Sequence, residues 1–340
     1  MTICSGRTVI ITGAGGGLGR AYALAFAAEG ANVVVNDIRD EAARDVVGQI
    51  HASGGQAIAN SDDITRLDSA QRIVDSALAA FGEVHVLVNN AGVLRDRLFL
   101  SLSEDDWDTV MRVHLKGHYC LANILARRWR DLAKAGMPVA GRIINTSSGA
   151  GLQGSIGQSN YAAAKGGIAS LTLVQAAELA RYGITANALA PAARTAMTEG
   201  AMPEMVKKPE DGSFDAWAPD NVAPLVVWLG SEQSGHVTGQ VFESQGGRIS
   251  LGDGWRTGVT RDKGATWQVE EVGAAVDAIK TAALHVINLW ELAKPARGRC
   301  GPQQTAAGFC DRCAVDRRLR QLPPFESYHT GRHVYPVLTM

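Results

Sequence analysis

Apolar residues along the chain form short β-branched runs, separated by longer stretches with helical spacing. The runs Val9–Thr12, Asn32–Asn36, Gln56–Asn60, Val84–Asn89, Gly141–Thr146, Ile184–Leu189 and Gln240–Glu243 read as strands. Leu18–Glu29, Leu67–Phe81, Glu104–Ala135, Asn160–Tyr182 and Asn221–Leu229 read as helices between them. Strands apolar on both faces, alternating with helices, predict an α/β fold: a doubly wound parallel sheet of about seven strands, covered on both sides. In such a sheet the ligand site lies beyond the carboxyl ends of the strands.

The pattern changes toward the carboxyl terminus. Val269–Leu292 still reads as an amphipathic helix, and periodicity fades after it. Residues 291–340 hold Lys294 and seven arginines against four acids, with five of the eleven prolines and three of the five cysteines. We therefore expect a main domain over residues 1–258, an extension with one helix over 259–290, and a disordered Arg/Pro/Cys-rich tail over 291–340. Cys310-x-x-Cys313 and His329-x-x-x-His333 fall within loose zinc spacing, but Pro323-Pro324 interrupts the helix that a zinc finger needs, so no metal is expected.

Composition narrows the class. Across 340 residues the chain is 46% hydrophobic with a net charge of −1, which suits a large core and argues against nucleic-acid binding. No uncharged apolar run reaches the ~18 residues of a membrane span. The first apolar run leads into a glycine turn and lacks signal-peptide anatomy. Five scattered cysteines make no disulfide framework, so a soluble, cytoplasmic protein is expected.

Two motifs carry chemistry. Thr12-Gly13-Ala14-Gly15-Gly16-Gly17-Leu18-Gly19 joins the first strand to the first helix, where glycines let the backbone approach a diphosphate at a helix N-terminus. Asp37 ends the second strand, where an acid binds a ribose 2′-hydroxyl and repels a 2′-phosphate. The expected cofactor is NAD, although Arg39 could reach a phosphate. The second motif is Ser148, Tyr161 and Lys165. Tyr161 and Lys165 are four residues apart and share one helix face. A phenol of pKa about 10 is a poor base at neutral pH, and a neighbouring ammonium and a cationic nicotinamide would both lower it. The Ser148 hydroxyl, at the end of a strand, can hold a substrate oxygen.

Together with Asn89-Asn90-Ala91-Gly92 and Ala190-Pro191, these motifs resemble the short-chain dehydrogenase/reductase superfamily over about residues 6–247. The resemblance implies a Rossmann-type fold in which Lys165 holds the nicotinamide ribose, Tyr161 is the general acid/base and Ser148 orients the carbonyl or alcohol. It implies cofactor contacts from Gly13, Gly16, Gly17, Leu18, Gly19, Asp37, Asp63, Ile64, Asn90, Ala91, Gly92, Tyr161, Lys165 and Pro191. The family's catalytic asparagine is replaced by His114, which could relay a proton, shift the pH profile or simply pack in its helix. It also implies pairing into a homodimer or homotetramer through the helix at Tyr161, with its small residues Ala162, Ala163, Ala164, Gly166, Gly167 and Ala169, and the long helix before it.

Leu94-Arg95-Asp96-Arg97, Arg112-Val113-His114-Leu115, Gly157–Tyr161 and Val222–Val226 resemble one branch, the (3R)-hydroxyacyl-CoA dehydrogenase unit of the peroxisomal multifunctional β-oxidation enzyme and its free-standing bacterial relatives. This branch implies a small-molecule substrate, an acyl-CoA or a steroid-like molecule. The alternatives are a 3-oxoacyl thioester reductase, a hydroxysteroid dehydrogenase and, from another class, a non-catalytic dinucleotide sensor. The intact Ser148, Tyr161 and Lys165 speak against the sensor. Thr198–Asp220, with Met202, Met205, Phe214 and Trp217 and with Met197 just before it, reads as a substrate lid.

Overall fold

The computed structural model describes residues 2–201, 203–254 and 257–282, in two compact units that divide between Thr257 and Gly258. The first unit is built from β1 (Thr8–Thr12), α1 (Gly17–Ala28), β2 (Asn32–Asn36), α2 (Asp40–Ala52), β3 (Gln56–Asn60), α3 (Leu67–Phe81) and β4 (Val86–Asn89). It continues through α4 (Glu104–Met111), a π-helical turn (Arg112–Lys116), α5 (Gly117–Lys134), β5 (Arg142–Thr146), α6 (Gly149–Gln153) and α7 (Ser159–Leu179). β6 (Thr185–Pro191), α8 (Ala196–Ala201), α9 (Ala223–Gly230), β7 (Val241–Gln245) and β8 (Arg248–Leu251) complete it.

The sheet has eight strands in the order β3-β2-β1-β4-β5-β6-β7-β8. Every pair is parallel except β7–β8. Alternation along each strand divides the core into two layers. Val9 and Ile11, with Val33 and Val35, pack under α1, α2 and α9. Ile10, Val34, Leu87 and Ile143 face the opposite way, onto α3 and α5. Both faces are therefore dry, and the exposed edge of the carboxyl ends is left for a ligand.

Three expectations are corrected. The sheet is not complete at Glu243: Gly246, at φ +53°, and Gly247 turn the chain back into an eighth, antiparallel strand. That strand is exposed along its whole length, so it has no buried face to leave a pattern. A helix, α2, lies between β2 and β3 where the apolar pattern named none; it buries only Ala43, Val46 and Ile50. The helix expected over Glu104–Ala135 is interrupted by the π-helical turn, where the Gly117 N–H bonds to the Arg112 carbonyl five residues earlier.

In the second unit α10 covers Val269–Ala282, and Lys263 pairs with Glu271 and lies 5.2 Å from the centre of the Trp267 ring. The remainder of the expected helix, the tail and its Cys and His residues lie outside the described residues. Among the described residues no helix is long and apolar enough to cross a membrane, and no cluster of metal-ligating side chains occurs.

Candidate active site

The strand order reverses at β1, between β2 and β4, and the site grows from the turn after β1. The Thr12 hydroxyl accepts from the backbone N–H groups of Asn90 and Ala91, each at 3.0 Å. The Asn90 amide donates back to the Thr12 and Gly13 carbonyls at 2.9 and 3.2 Å. These bonds tie the glycine turn to the segment leaving β4. Gly13 has φ +63°, and a Cβ there would lie 2.8 Å from Ala91 Cα, so the position accepts only glycine. Gly19 is pressed against the Gly13 carbonyl and the Asn90 amide. Gly16 offers no side-chain cap, Gly17 stands next to Thr195, and Leu18 packs on the core. With no acid in its first turn, α1 directs its free N–H groups and the positive end of its dipole into this cradle, which suits a diphosphate.

Asp37, 6% exposed, closes the cradle's far side. Its carboxylate accepts from Gly15 N–H at 3.0 Å, Arg39 N–H at 3.0 Å and the Arg39 guanidinium at 3.1 and 3.2 Å. Burial opposes ionisation, but these bonds outweigh it and hold the carboxyl below its ordinary range. Of the other expected cofactor positions, Asp63 forms a local turn by accepting from Thr65 N–H and Oγ1 at 2.8 and 2.9 Å. The Ile64 side chain is buried in the core against Gly117. Pro191 ends β6.

The chemistry-bearing residues converge at the ends of β4 and β5. Ser148 follows β5; its hydroxyl accepts from Ala150 N–H at 3.2 Å and acts on the Tyr161 phenol, pulling its pKa down. Lys165 is buried; its Nζ donates to Thr146 O at 2.5 Å and lies 5.6 Å from the centre of the Tyr161 ring. Burial pulls Lys165 down to about 7. Burial pushes the Tyr161 phenol up, Ser148 pulls it down, and the charge of Asp96 raises it further. The net shift is upward, so the lowered phenol expected from the sequence is not a property of the chain's own groups.

His114 sits in the π-helical turn, 1% exposed, with its ring edge-on to Tyr161 at 5.2 Å. Its Nε2 lies 3.0 Å from Val93 N and 2.7 Å from Val93 O, and its ring fills the space that Gly92 leaves open. Burial, and then the charge of Lys165, lower it to about 3, so the imidazole is neutral.

His118, which the sequence reading missed, is fully buried one turn further on and accepts from Thr146 N–H at 3.3 Å. Its i, i+4 spacing from His114 was the available signal. Asn89 also belongs here: its amide donates to the His118 carbonyl at 3.2 Å and to Asn145 Oδ1 at 3.0 Å. His114 Nδ1, His118 Nδ1 and Asn89 Oδ1 are buried without a partner among the described residues.

The segment expected to form a lid is stapled to itself. Arg194 pairs with Asp215, donates to Val206 O at 2.8 Å, and its backbone N–H meets Trp217 O at 2.6 Å. Neither Arg194 nor Asp215 was singled out from sequence, because a pair closing a loop has no period. Met197, Met205 and Phe214 remain exposed. Part of the small-residue signal on α7 is spent inside the chain: Gly151 of α6 packs on Lys165 and Gly166, Gly167 faces Leu115, and Ala164 is buried.

The chain matches the family described as short chain dehydrogenase over residues 7–206. It is 45% identical over 260 residues to hydroxyacyl-CoA dehydrogenase ChsB1 of Mycobacterium tuberculosis, covering 74% of this chain and 80% of that one. It is 42% identical over 259 residues to peroxisomal multifunctional enzyme type 2 of Mus musculus, covering 74% of this chain and 32% of that larger protein. A solved structure described as a short chain dehydrogenase from Mycobacterium avium matches with a TM-score of 0.77 at 51% identity, covering 84% of this chain and 98% of that one. The chain therefore belongs to the short chain dehydrogenase family, oxidoreductases that act on CH–OH groups with a nicotinamide dinucleotide.

Proposed function

We propose that this chain oxidises a 3-hydroxyacyl-CoA to the 3-oxoacyl-CoA with NAD, using Tyr161 as the proton carrier. The observation that carries the reading is the convergence of Ser148, Tyr161 and Lys165, with the lysine brought by burial to about 7 beside the phenol. Ser148 holds the substrate hydroxyl, and Tyr161 takes its proton as the C–H bond breaks. An oxidised nicotinamide, when bound, takes the hydride. The phenol must be lowered to act as a base at neutral pH; the positive charge of an oxidised nicotinamide ring would supply this when bound. Lys165 holds the ribose of the same cofactor.

NAD rather than NADP follows from Asp37, whose buried carboxylate occupies both the Gly15 N–H and the Arg39 guanidinium. A 2′-phosphate would have to displace that pair and meet the acid. The acyl-CoA substrate is supported by the 45%-identical relative, a hydroxyacyl-CoA dehydrogenase. A second reading, reduction of a 3-oxoacyl thioester on a carrier protein, is favoured by the 3-oxoacyl-[acyl-carrier-protein] reductase of Synechocystis, 36% identical over 256 residues and covered over 99% of its length.

We further propose a homodimer or homotetramer in the cytoplasm. Exposed Tyr119 on α5 and exposed Leu173 and Val174 on α7 support pairing, and the buried free thiols Cys4 and Cys120 suit a reducing compartment.

A panel of 3-hydroxyacyl-CoA, 3-oxoacyl thioester and hydroxysteroid substrates, each with NAD(H) and NADP(H), tests the reading by absorbance of the reduced nicotinamide. The expected result is the highest kcat/KM for 3-hydroxyacyl-CoA with NAD, and a smaller NAD preference in Asp37→Ala. A wild-type preference for NADP, or for a steroid, would overturn it.

A further inference from the structure

The segment leaving β4 passes a cavity of about 690 Å³, lined by Leu94, Arg95, Asp96 and Arg97 and, opposite, by Ala196, Met197 and Gly200. It is a shallow depression, open to solvent. Its walls divide by chemistry: Leu94, Ala196 and Met197 are apolar, whereas the two arginines are charged and half exposed, at 49% and 57%.

Each guanidinium makes a single hydrogen bond among the described residues, and both bonds are local. Arg95 Nη1 donates to Leu94 O at 2.9 Å and Arg97 Nη1 to Asp96 O at 2.8 Å. Asp106 stands 3.8 and 3.9 Å from their Nε atoms, beyond hydrogen-bond length. Asp96 is engaged by Gln158 Nε2 at 3.0 Å. Asp106 is only 18% exposed, against 49% and 57% for the two arginines.

The arginine backbones are anchored to α7 and to the turn before it. Arg95 O accepts from Asn160 Nδ2 at 3.2 Å, and Arg97 N–H donates to Gly157 O at 2.8 Å. Asn160 is fully buried, and its Oδ1 accepts from Tyr161 N–H at 2.8 Å. The segment that carries the two side chains is thus tied to the backbone at the start of α7, next to Tyr161. Leu94, Ala196 and Met197 give the cavity an apolar wall beside two planar forks, and Asp96, which also lines it, bears on the Tyr161 phenol through its charge. Phosphate is the group those forks match, in a bidentate manner. An uncharged steroid would offer them no group beyond the Asp106 carboxylate they already face.

We propose that Arg95 and Arg97 form a phosphate-reading rim that selects the coenzyme A end of the substrate; this rests on the acyl-CoA reading above. The test compares three thioesters of one 3-hydroxyacyl group: coenzyme A, pantetheine 4′-phosphate and phosphate-free N-acetylcysteamine. In Arg95→Ala/Arg97→Ala the ratio of kcat/KM for the coenzyme A ester to that for the N-acetylcysteamine ester should fall at least about tenfold, mostly through KM, as the loss of charge-assisted bonds predicts.

Arg95→Lys/Arg97→Lys should keep part of that ratio, and raised salt should erode it in the wild type alone. An unmoved ratio, or equal loss on both esters, would overturn the proposal. So would a pantetheine 4′-phosphate ester that already shows the full preference, because the phosphate read would then be the one shared with carrier proteins. A wild type that turns over the N-acetylcysteamine ester without favouring coenzyme A sinks the arginine rim alone. One that turns over no thioester sinks the acyl-CoA reading itself.

Discussion

Buried charge stands at both ends of the parallel strands and behaves differently at each. At the amino ends, Arg142 donates from Nε to Ser231 O at 3.0 Å, from Nη1 to Gly141 O at 3.0 Å and from Nη2 to Glu232 O at 3.4 Å. Arg7 Nη2 donates to Ala140 O at 2.7 Å. Burial, and then the charge of Arg7, bring Arg142 only down to about 10, so it stays a cation at neutral pH. These guanidiniums cap loop carbonyls and their protons are fixed. At the carboxyl ends burial brings Lys165 to about 7 and keeps His114 and His118 neutral. The first arrangement supports the fold. The second holds a proton loosely, as acid–base chemistry requires.

Removing the loosely held charge should have the larger functional effect. Lys165→Met should lower kcat/KM by at least about a hundredfold and weaken dinucleotide binding. It should also change how stability depends on pH. The folded protein releases the Lys165 proton near pH 7 and the unfolded chain only near 10.5, so the unfolded state binds more protons in between. Wild-type stability should therefore gain a positive slope across that window, and Lys165→Met should remove it, as urea melts at several pH values would show. An identical slope in both proteins would contradict the buried, depressed lysine.

Arg142→Met should do the reverse, costing about 2–3 kcal/mol of stability by stripping partners from buried carbonyls while kcat per folded molecule holds. Denaturant melts read beside active-site titration separate the two quantities. The smallest effect should come from His114→Asn. Because burial keeps His114 and His118 neutral, neither supplies an ionisation between about pH 5 and 8, and the shape of the kcat/KM profile should be retained. A limb of the profile lost in His114→Asn would show that this imidazole titrates during turnover.

The contrast also marks what was legible in the sequence. The glycine turn, Asp37 and the Ser148–Tyr161–Lys165 spacing are local patterns on regular elements, so their meeting follows from strand order. The Arg7 and Arg142 caps, the Arg194–Asp215 staple and the Asn89–Asn145 bridge join residues far apart in sequence and leave no period to read. β8 was hidden because it is an exposed edge, although Gly246-Gly247 marked its turn. The neutral state of His114 depends on burial in a π-helical turn, and spacing alone does not report burial.

Tyr161→Phe isolates the proton carrier, deleting one hydroxyl while keeping the ring that meets His114 edge-on. Measured with a 3-hydroxyacyl-CoA and NAD, kcat should fall by at least about a hundredfold, with NAD affinity by calorimetry and melting temperature held at wild-type values. Retention of more than a few per cent of wild-type kcat would contradict Tyr161 as the acid/base.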